Sequence, residues 1–446
     1  MYDLVLANGL VCDPKNRVFT RLDVGIRGGR IAALSAEPLS GKQVFDCAGK
    51  VVAPGFIDIH AHEDPVENGH IQTDITLRAL KMGVTTFVGG NCGMSQEDWS
   101  GYRRLYDRTQ PVHQVHLAGH ITLRRMAGAE DKYAPVTAEQ LETMCALLRE
   151  EMERGCRGLS FGIRYEPGVT LEEMCALSAV VREFGGIVTA HVRNDAVGAV
   201  DSFEEFLEIG RRTGVRLQVS HIGSMAAYGS MDLCLGAIDA CGARGVDVAV
   251  DCYPYDAFST YIGATTYDDG FTDRYGDDLS RIEITEGEYK GPVQSMEIFQ
   301  KVRREHPEYL TVGHFMRQEE VDRALTHPRV MLGSDGILQN GAGHPRAAGS
   351  FPRFLRQYVW EKKLLSLPEA IAKCTCQPAE RVRLDRGALG VGDWADVTVF
   401  DPETLCDRAT FDEPALPPVG IELVLLEGVP ALEKGQVLHT DLGRSL

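Results

Sequence analysis

The middle of the chain alternates short apolar runs with longer segments in which apolar and polar residues are mixed. The neighbouring segments are KMGVTTFVGGN and QEDWSGYRRLYDRT, LETMCALLREEMERG and CRGLSFG, LEEMCALSAVVREFG and GIVTAHV, FEEFLEIGRRTG and VRLQVSHI, and LGAIDACGARG and VDVAVDCYPY. Short apolar runs are typical of buried parallel strands, and the mixed segments of amphipathic helices. In a chain of 446 residues this repetition predicts an α/β fold with a closed (β/α)8 TIM-like barrel, with a doubly wound sheet as the alternative.

The two chain ends have a different pattern of short strands separated by glycine and acidic turns. YDLVLANGLVCD and RLDVGIRGGRIAALS begin the chain, with expected hairpin turns at Asn8-Gly9 and Gly28-Gly29, and LGVGDWADVTVFDP and GIELVLLEGVPALEKGQVLH lie near its end. We expect both ends to form one small β-sandwich domain. The predicted boundaries are 1–54 and 386–446 for the β-sandwich and 55–385 for the barrel.

One segment interrupts the alternation. Residues Tyr261 to Pro292, inside a lid insertion of about 261–310, are rich in Gly, Asp, Thr and Tyr, which predicts a long loop over one end of the barrel. Its acidic residues would repel an acidic substrate side chain, whereas three nearby arginines favour the reverse, so the side-chain preference stays open. The acidic residues are Asp268, Asp269, Asp273, Asp277 and Asp278, and the arginines are Arg164, Arg274 and Arg281.

Composition and charge exclude several classes of protein. Hydrophobic residues make up 44% and charged residues 25%, as in globular enzymes, and the net charge of −18 argues against nucleic-acid or membrane partners. Twelve cysteines without a CxxC pair suit a reducing compartment. Without a basic leader or an apolar run of about 18 residues, we expect a cytoplasmic protein, and homo-oligomer formation is left open.

Metal-binding residues follow the predicted strands. In VVAPGFIDIHAHEDP, His60 and His62 lie one residue apart and would project from the same face of a strand. Further candidates stand at the ends of later strands, where a barrel enzyme has its active site, and they are Cys92, His191, His221 and Asp335. Taken singly, Cys92 could be a core residue and Asp335 a helix cap, but six candidates at one barrel face favour a metal site.

The chain resembles a known family in a series of motifs. They are GFIDIHAHED, FVGGNCG, GLSFGIRYEPG, TAHVRND, VSHIG, DCYPYDAFST, GHFMRQEEV, VMLGSDG, HPRAAGSFPR and CQPAERVRLDRGALGVGDWADVTVFDP. From about residue 50 to residue 402 these are similar to the successive motifs of the N-acyl-D-amino-acid deacylases, or D-aminoacylases, of the amidohydrolase superfamily. Many amidohydrolases bridge their metals with a carboxylated lysine, and Cys92 resembles the cysteine that the D-aminoacylases have instead.

The resemblance implies a metal centre with two positions. One would be formed by His60, His62, Cys92 and Asp335, and the other, by Cys92, His191 and His221. The family has a tightly bound Zn²⁺ in the Cys/His/His position, and the other position is weak or empty. Imidazole and thiolate suit zinc, and three protein ligands leave an open position for water.

The resemblance also implies a reaction and a substrate. The expected activity is hydrolysis of the amide bond of a small N-acyl-D-amino acid or related N-acyl compound by metal-activated water, with Asp335 as general base and acid. Tyr165 would contact the carbonyl oxygen, and Arg346 would bind the substrate α-carboxylate. Ser259 and one tyrosine of DCYPY, Tyr253 in the family motif or Tyr255, would line the carboxylate pocket.

One departure and two alternatives accompany this interpretation. Many relatives have a lysine just after the second metal histidine, where this chain has Gly223 and Ser224, so one carboxylate-binding cation is missing. A cyclic amidase or isoaspartyl-dipeptidase-like hydrolase shares the His-x-His strand but uses a carboxylated lysine. A non-catalytic scaffold would lack ligands, whereas all six candidates are present here.

Overall fold

The computed structural model describes residues 1–268 and 270–446, so Asp269 of the acidic insertion lies outside the described residues. The N-terminal strands are β1 (Tyr2–Asp13), β2 (Val18–Arg27), β3 (Arg30–Ser35), β4 (Gly41–Asp46) and β5 (Val51–Pro54). The turn predicted at Gly28-Gly29 is confirmed, because both glycines have positive φ (58° and 77°) between the paired strands β2 and β3.

The turn predicted at Asn8-Gly9 is wrong. Strand β1 continues through both residues, with a register shift between Leu6 and Gly9 in its pairing with β2. Asn8 does adopt a left-handed conformation (φ 64°), but its backbone N–H donates to Asp23 Oδ1 at 2.8 Å across the pair. One left-handed residue held in this way produces a bulge, and the chain reverses later, between Asp13 and Val18.

The middle region supplies the barrel. Its strands are β6 (Phe56–Asp58), β7 (Val66–Glu67), β8 (His70–Ile71), β9 (Val84–Gly89), β10 (His113–His116), β11 (Ala118–Gly119), β12 (Gly158–Gly162), β13 (Ile187–His191), β14 (Arg216–Val219), β15 (Val248–Cys252), β16 (Phe258–Tyr261), β17 (Ile282–Ile284), β18 (Gly291–Pro292), β19 (Leu310–Gly313), β20 (Val330–Leu332), β21 (Leu338–Gln339) and β22 (Ala342–Gly343). Its helices are α1 (Asp74–Lys81), α2 (Trp99–Tyr106), α3 (His120–Met126), α4 (Ala138–Glu153), α5 (Leu171–Glu183), α6 (Ala199–Thr213), α7 (Ile222–Ala226), α8 (Met231–Ala243), α9 (Phe271–Tyr275), α10 (Met296–Glu305), α11 (Gln318–Thr326), α12 (Arg346–Leu355), α13 (Leu367–Cys374) and α14 (Cys376–Arg381), with a π-helical turn over Arg356–Glu361.

The barrel has eight strand positions in chain order. They are β6, β9, β10 with its continuation β11, β12, β13, β14, β15 and β20, and each pairs in parallel with the next. A parallel bridge between Ala61 and Gly336 joins the last position to the first, and the Asp335 N–H donates to the His60 carbonyl at 2.7 Å. This closure confirms the (β/α)8 barrel and excludes the doubly wound sheet.

The outer helices bury apolar faces against the strands. In α6, Phe203, Phe206 and Leu207 are fully buried, and the helix ends at Gly214, whose φ of 70° suits glycine. Helix α4 begins with a capping box in which Thr137 and Gln140 satisfy each other's backbone N–H groups. No helix in the described residues is both long and apolar enough to span a membrane.

The insertion differs from the expected long loop. Strands β16, β17, β18 and β19 form a small antiparallel sheet, and α9 and α10 pack beside it through Tyr267, Phe271 and Phe299. The spacing of Phe271 and Tyr275 by four residues is the helical signal of α9, which the glycine and aspartate content obscured.

The expected repulsion of an acidic substrate by the acidic residues of the insertion is wrong for the described ones. Asp268 forms an ion pair with Arg303 at 2.6 Å, and Asp273, Asp277 and Asp278 are exposed. None of these four lines the cavity described below. Their charges therefore face solvent or a partner outside the cavity.

The C-terminal strands complete the β domain. They are β23 (Val397–Phe400), β24 (Ile421–Leu426), β25 (Val429–Glu433) and β26 (Gln436–Val437). The nine-stranded sheet has the order β26-β25-β24-β23-β5-β1-β2-β3, with β4 paired to β1, so both chain ends contribute to one β domain, as expected. The final residues return to the barrel, where Ser445 bridges to Gln114, and the boundaries at 54 and 386 stay predictions.

Candidate metal centre

Six side chains with metal-binding chemistry lie at one end of the barrel. They are His60 and His62 beyond β6, Cys92 beyond β9, His191 at the end of β13, His221 beyond β14 and Asp335 beyond β20. Parallel barrel strands present their carboxyl ends at one face, which brings together residues that are far apart in the sequence.

Cys92 lies at the centre of this group. Its Sγ is 3.5 Å from His60 Nε2, 3.5 Å from His221 Nε2 and 4.0 Å from His191 Nδ1. Ligand atoms of His60, Cys92, His221 and Asp335 all lie within 4.8 Å of one another. The thiol is therefore placed where it could be shared between two metal positions.

Asp335 adds a carboxylate on the His60 side of the group. Its Oδ1 is 3.0 Å from His62 Nε2 and 3.4 Å from His60 Nε2. The structure thus brings all six predicted residues together. Their division between two metal positions stays a prediction.

Three of these residues have unusual backbone conformations. The φ angles are 53° for Cys92, 34° for His221 and 50° for Asp335, in the left-handed region that non-glycine residues rarely adopt. Each such residue costs on the order of 1–3 kcal/mol and persists when surrounding structure enforces it, often at a functional site. The strain therefore supports a functional role for this group of side chains.

Two residues that were not predicted from the sequence as ligand partners orient the histidines. Asp251 Oδ1 accepts from the His221 backbone N–H at 2.7 Å and lies 3.2 Å from His60 Nδ1. Ser224 Oγ lies 2.9 Å from His221 Nδ1, so this residue supports a candidate ligand. Outer partners of this kind fix the ring orientation of metal-binding histidines. Asp251 ends the apolar strand VDVAVD, which is the signal that could have revealed it.

The electrostatic surroundings favour a thiolate at Cys92. Burial alone would raise the pKa of its thiol, but the charge of His60 and the hydrogen bonds from His191 and His221 hold that pKa well below its usual range. Burial and the neighbouring His221 lower the pKa of His191, which favours a neutral imidazole. Thiolate and neutral imidazole are the forms that bind metals.

Arg346 forms a buried ion pair with Asp335. Its Nη1 is 2.9 Å from Asp335 Oδ2, and the guanidinium carbon lies 4.7 Å from the ring centroid of Tyr253. Burial would raise the pKa of Asp335, but Arg346, His221, His60 and His62 outweigh that effect and hold it well below its usual range. Asp335 is therefore ionised.

The remaining predicted binding residues differ in their placement. Ser259 lines the cavity beside Arg346, and its Oγ has no hydrogen-bond partner among the described residues. Tyr253 is not among the cavity-lining residues and supports Arg346 from behind. The Tyr255 hydroxyl donates to the Pro345 carbonyl at 3.4 Å, away from the cavity, so Tyr253 is the one nearer to the site.

A cavity of about 440 Å³ opens over the metal-binding residues. The predicted site residues that line it are His62, Cys92, Tyr165, His191, His221, Ser259, Asp335 and Arg346. Tyr165 packs against His191 with ring centroids 4.7 Å apart, and burial raises the pKa of its phenol well above the usual range. Its hydroxyl is therefore available as a neutral donor.

The chemistry of these donors fits zinc. One thiolate and several imidazoles form a borderline-to-soft ligand set, and Asp335 adds one hard oxygen. Among the described residues that line the cavity there is no lysine, which argues against a lysine-bridged centre. The scaffold alternative predicted missing ligands, and the structure instead assembles all six.

Comparisons with known proteins identify the family. The amidohydrolase family profile matches residues 43–431. The N-acyl-D-glutamate deacylase of Alcaligenes xylosoxydans xylosoxydans is 35% identical over 98% of this chain and 97% of its own length. The N-acyl-D-glutamate deacylase of Bordetella bronchiseptica, solved with zinc and a phosphonate inhibitor that mimics the tetrahedral intermediate, is 32% identical with a TM-score of 0.89, covering 100% of this chain and 99% of that one. A D-aminoacylase with a binuclear metal centre is 30% identical with a TM-score of 0.88, covering 100% of both chains. The chain belongs to the amidohydrolase family and, within it, to the D-aminoacylase group.

Proposed function

We propose that this protein is a zinc-dependent deacylase that hydrolyses the amide bond of N-acyl-D-amino acids. The observation that carries the proposal is the convergence of Cys92, three strand-end histidines and the Asp335–Arg346 ion pair in one cavity. Similarity to enzymes named N-acyl-D-glutamate deacylase and D-aminoacylase supports the same activity.

We assign the metal ligands to two positions. Cys92, His191 and His221 would hold the tightly bound zinc, and His60, His62, Asp335 and Cys92 would form a second, weaker position. Zinc bound by Cys92, His191 and His221 would polarise the scissile carbonyl and lower the pKa of a water molecule from 15.7 to about 7.

Asp335 would move the proton. It is ionised, lines the cavity and lies between the histidines and Arg346, so its Oδ1 can accept a proton from the attacking water. The same carboxyl group can then deliver that proton to the leaving amine. Both transfers need only the one side chain, because attack and departure occur on the same carbonyl carbon.

Tyr165 would stabilise the oxyanion of the tetrahedral intermediate. We expect Tyr165→Phe to lower kcat on the order of 10²-fold, because it removes one donor aimed at developing charge. Steady-state kinetics with zinc content as a control would check this. A higher KM with an unchanged kcat would instead assign the hydroxyl to ground-state binding of the substrate.

Arg346 would bind the substrate α-carboxylate. Ser259 Oγ and Arg346 Nε have no hydrogen-bond partner among the described residues, and we propose that they complete that site. A lysine at Gly223, as in many relatives, would be crowded in this chain, since a Cβ there would lie 3.0 Å from both Cys252 Sγ and Met316 Cε. The carboxylate would therefore depend largely on Arg346.

Arg346→Ala should raise KM roughly 10- to 100-fold with a smaller effect on kcat, because a carboxylate grip contributes mainly uniform binding. Arg346→Lys is the matched control: it keeps the charge beside Asp335 but loses the planar fork. Kinetics of both variants would test the assignment, and an unchanged KM in Arg346→Ala would refute it.

The activity itself can be tested with metal-loaded protein and paired N-acetyl-D- and N-acetyl-L-amino acids, with free amine as the readout. We expect turnover of D-isomers that requires zinc. No turnover of any D-isomer would overturn the proposal, and a metal on a modified lysine in an anomalous-scattering map would favour the cyclic-amidase branch.

We also propose a reducing, cytoplasmic location. All twelve cysteines are free thiols, and most are buried. Fractionation of cells expressing the full chain would test this, and recovery from an oxidising compartment would contradict it.

A further inference from the structure

One wall of the cavity carries a buried acid that the proposed reaction does not use. Asp195 follows His191 by four residues, lines the cavity and is 3% exposed. Of the described residues that line the cavity, Arg346 is the only arginine or lysine. A second carboxylate on a substrate would thus meet an acid at this wall and no free cation.

Asp195 is paired with two donors of the insertion. Arg274 Nη1 donates to its Oδ1 at 2.5 Å, and the Tyr275 hydroxyl donates to its Oδ2. Arg274 also donates to the Thr266 carbonyl. Arg274 is therefore a cation just behind the cavity wall, and Asp195 is its counter-charge.

A second arginine lies behind the same wall. Arg164 donates to the Asn194 side chain at 3.1 Å and to the Thr265 and Thr266 carbonyls at 3.2 and 3.3 Å. All of these acceptors are neutral. Asp195 is thus the acid that offsets the positive charge of both arginines at this wall.

The cavity lining that packs around Tyr275 is apolar. Tyr275 lines the cavity and packs against Phe315 and Phe258 with ring centroids 5.0 and 5.4 Å apart. Met94, Ile121 and Met225 continue the apolar lining. A neutral substrate side chain needs no charge partner when it is buried against this wall. A substrate carboxylate would lose its hydration here without gaining a cation in exchange.

We propose that Asp195 is a specificity-determining residue: by neutralising Arg274 and Arg164 at the cavity wall, it makes the pocket select N-acyl-D-amino acids with neutral side chains over acidic ones. The inference rests on the proposed function and concerns the side chain, which that function leaves open. It predicts a preference that differs from the glutamate named for the Alcaligenes relative.

Glutamate and glutamine form the matched substrate pair, because they have the same shape and differ in charge. The measurement is the ratio of kcat/KM for N-acetyl-D-glutamate to that for N-acetyl-D-glutamine, with metal-loaded full-length protein. The wild-type ratio should be well below one. Asp195→Asn should raise it on the order of tenfold, because the amide keeps the shape while two guanidinium charges become uncompensated.

Further variants separate charge from architecture. Arg274→Met alone removes the ion-pair partner of Asp195 but keeps the Tyr275 hydroxyl, and it should lower the ratio. Adding it to Asp195→Asn should reverse most of the gain. Asp268→Asn is the control, because Asp268 pairs with Arg303 in the same insertion but does not line the cavity. It should leave the ratio at the wild-type value.

The outcomes are distinguishable. An unchanged ratio in Asp195→Asn, including an equal decrease in kcat/KM for both substrates, would show that Asp195 only holds α9 in position. That result would overturn the inference. If Asp195→Asn does not fold, an unchanged or higher ratio in Arg274→Met overturns it instead. If the wild type hydrolyses no N-acyl-D-amino acid, the proposed function fails. The preference for the neutral compound can then be measured as the ratio of the two binding affinities, from calorimetric Kd values.

Discussion

Asp335→Asn is expected to abolish most of the activity while leaving the zinc at Cys92, His191 and His221 in place. General acid–base catalysis contributes typically 10²- to 10⁴-fold, and we expect a loss of kcat of that order. The amide has nearly the same shape as the carboxylate and can still accept from Arg346, but it cannot take a proton from water. Zinc analysis and steady-state kinetics on the same preparation would test both halves of this expectation.

The control for Asp335→Asn is Asp273→Asn, which changes an exposed acid of the insertion that does not line the cavity. Its activity and zinc content should match the wild type. A near-normal rate for Asp335→Asn would remove this residue from proton transfer. Loss of all zinc would show instead that Asp335 is indispensable to metal binding.

His221→Ala is expected to cause a larger loss of bound zinc and activity than His60→Ala. His221 would be a ligand of the tightly bound zinc, whereas His60 would serve the weaker position. Removing an outer hydrogen-bond partner of a ligand typically costs 10- to 100-fold in metal affinity, and removing a ligand itself should cost more than this. Zinc stoichiometry after dialysis, together with kcat, would rank the two variants.

His60 and His221 are well-matched positions for this comparison, because their distances to Cys92 and their burial are nearly the same. Each has Nε2 3.5 Å from Cys92 Sγ, and both are buried. His439→Ala, at an exposed position in the C-terminal segment, controls for loss of histidine in general. Comparable zinc loss from His60→Ala and His221→Ala would contradict the assignment of the tight site to Cys92, His191 and His221.

The barrel was predictable because its signal is repeated. Each strand–helix unit contains a buried apolar run with a polar residue near the end of the strand. In a closed parallel barrel the carboxyl ends of all strands lie at the same end of the barrel, so these polar residues are brought together. The insertion was not predictable in the same way, because its fold depends on a few aromatic contacts among Tyr267, Phe271 and Phe299 and on the pairing of β16 and β17 with the distant β19.

The sequence by itself determined the fold class and the six candidate ligands, because periodicity and residue type at strand ends are local properties. Only the tertiary structure decided how charges are paired: Arg346 with Asp335, Arg274 with Asp195, Arg303 with Asp268, and Asp251 with His60. These partners come from different loops, and electrostatic energy depends on distances of a few ångströms that sequence spacing does not encode.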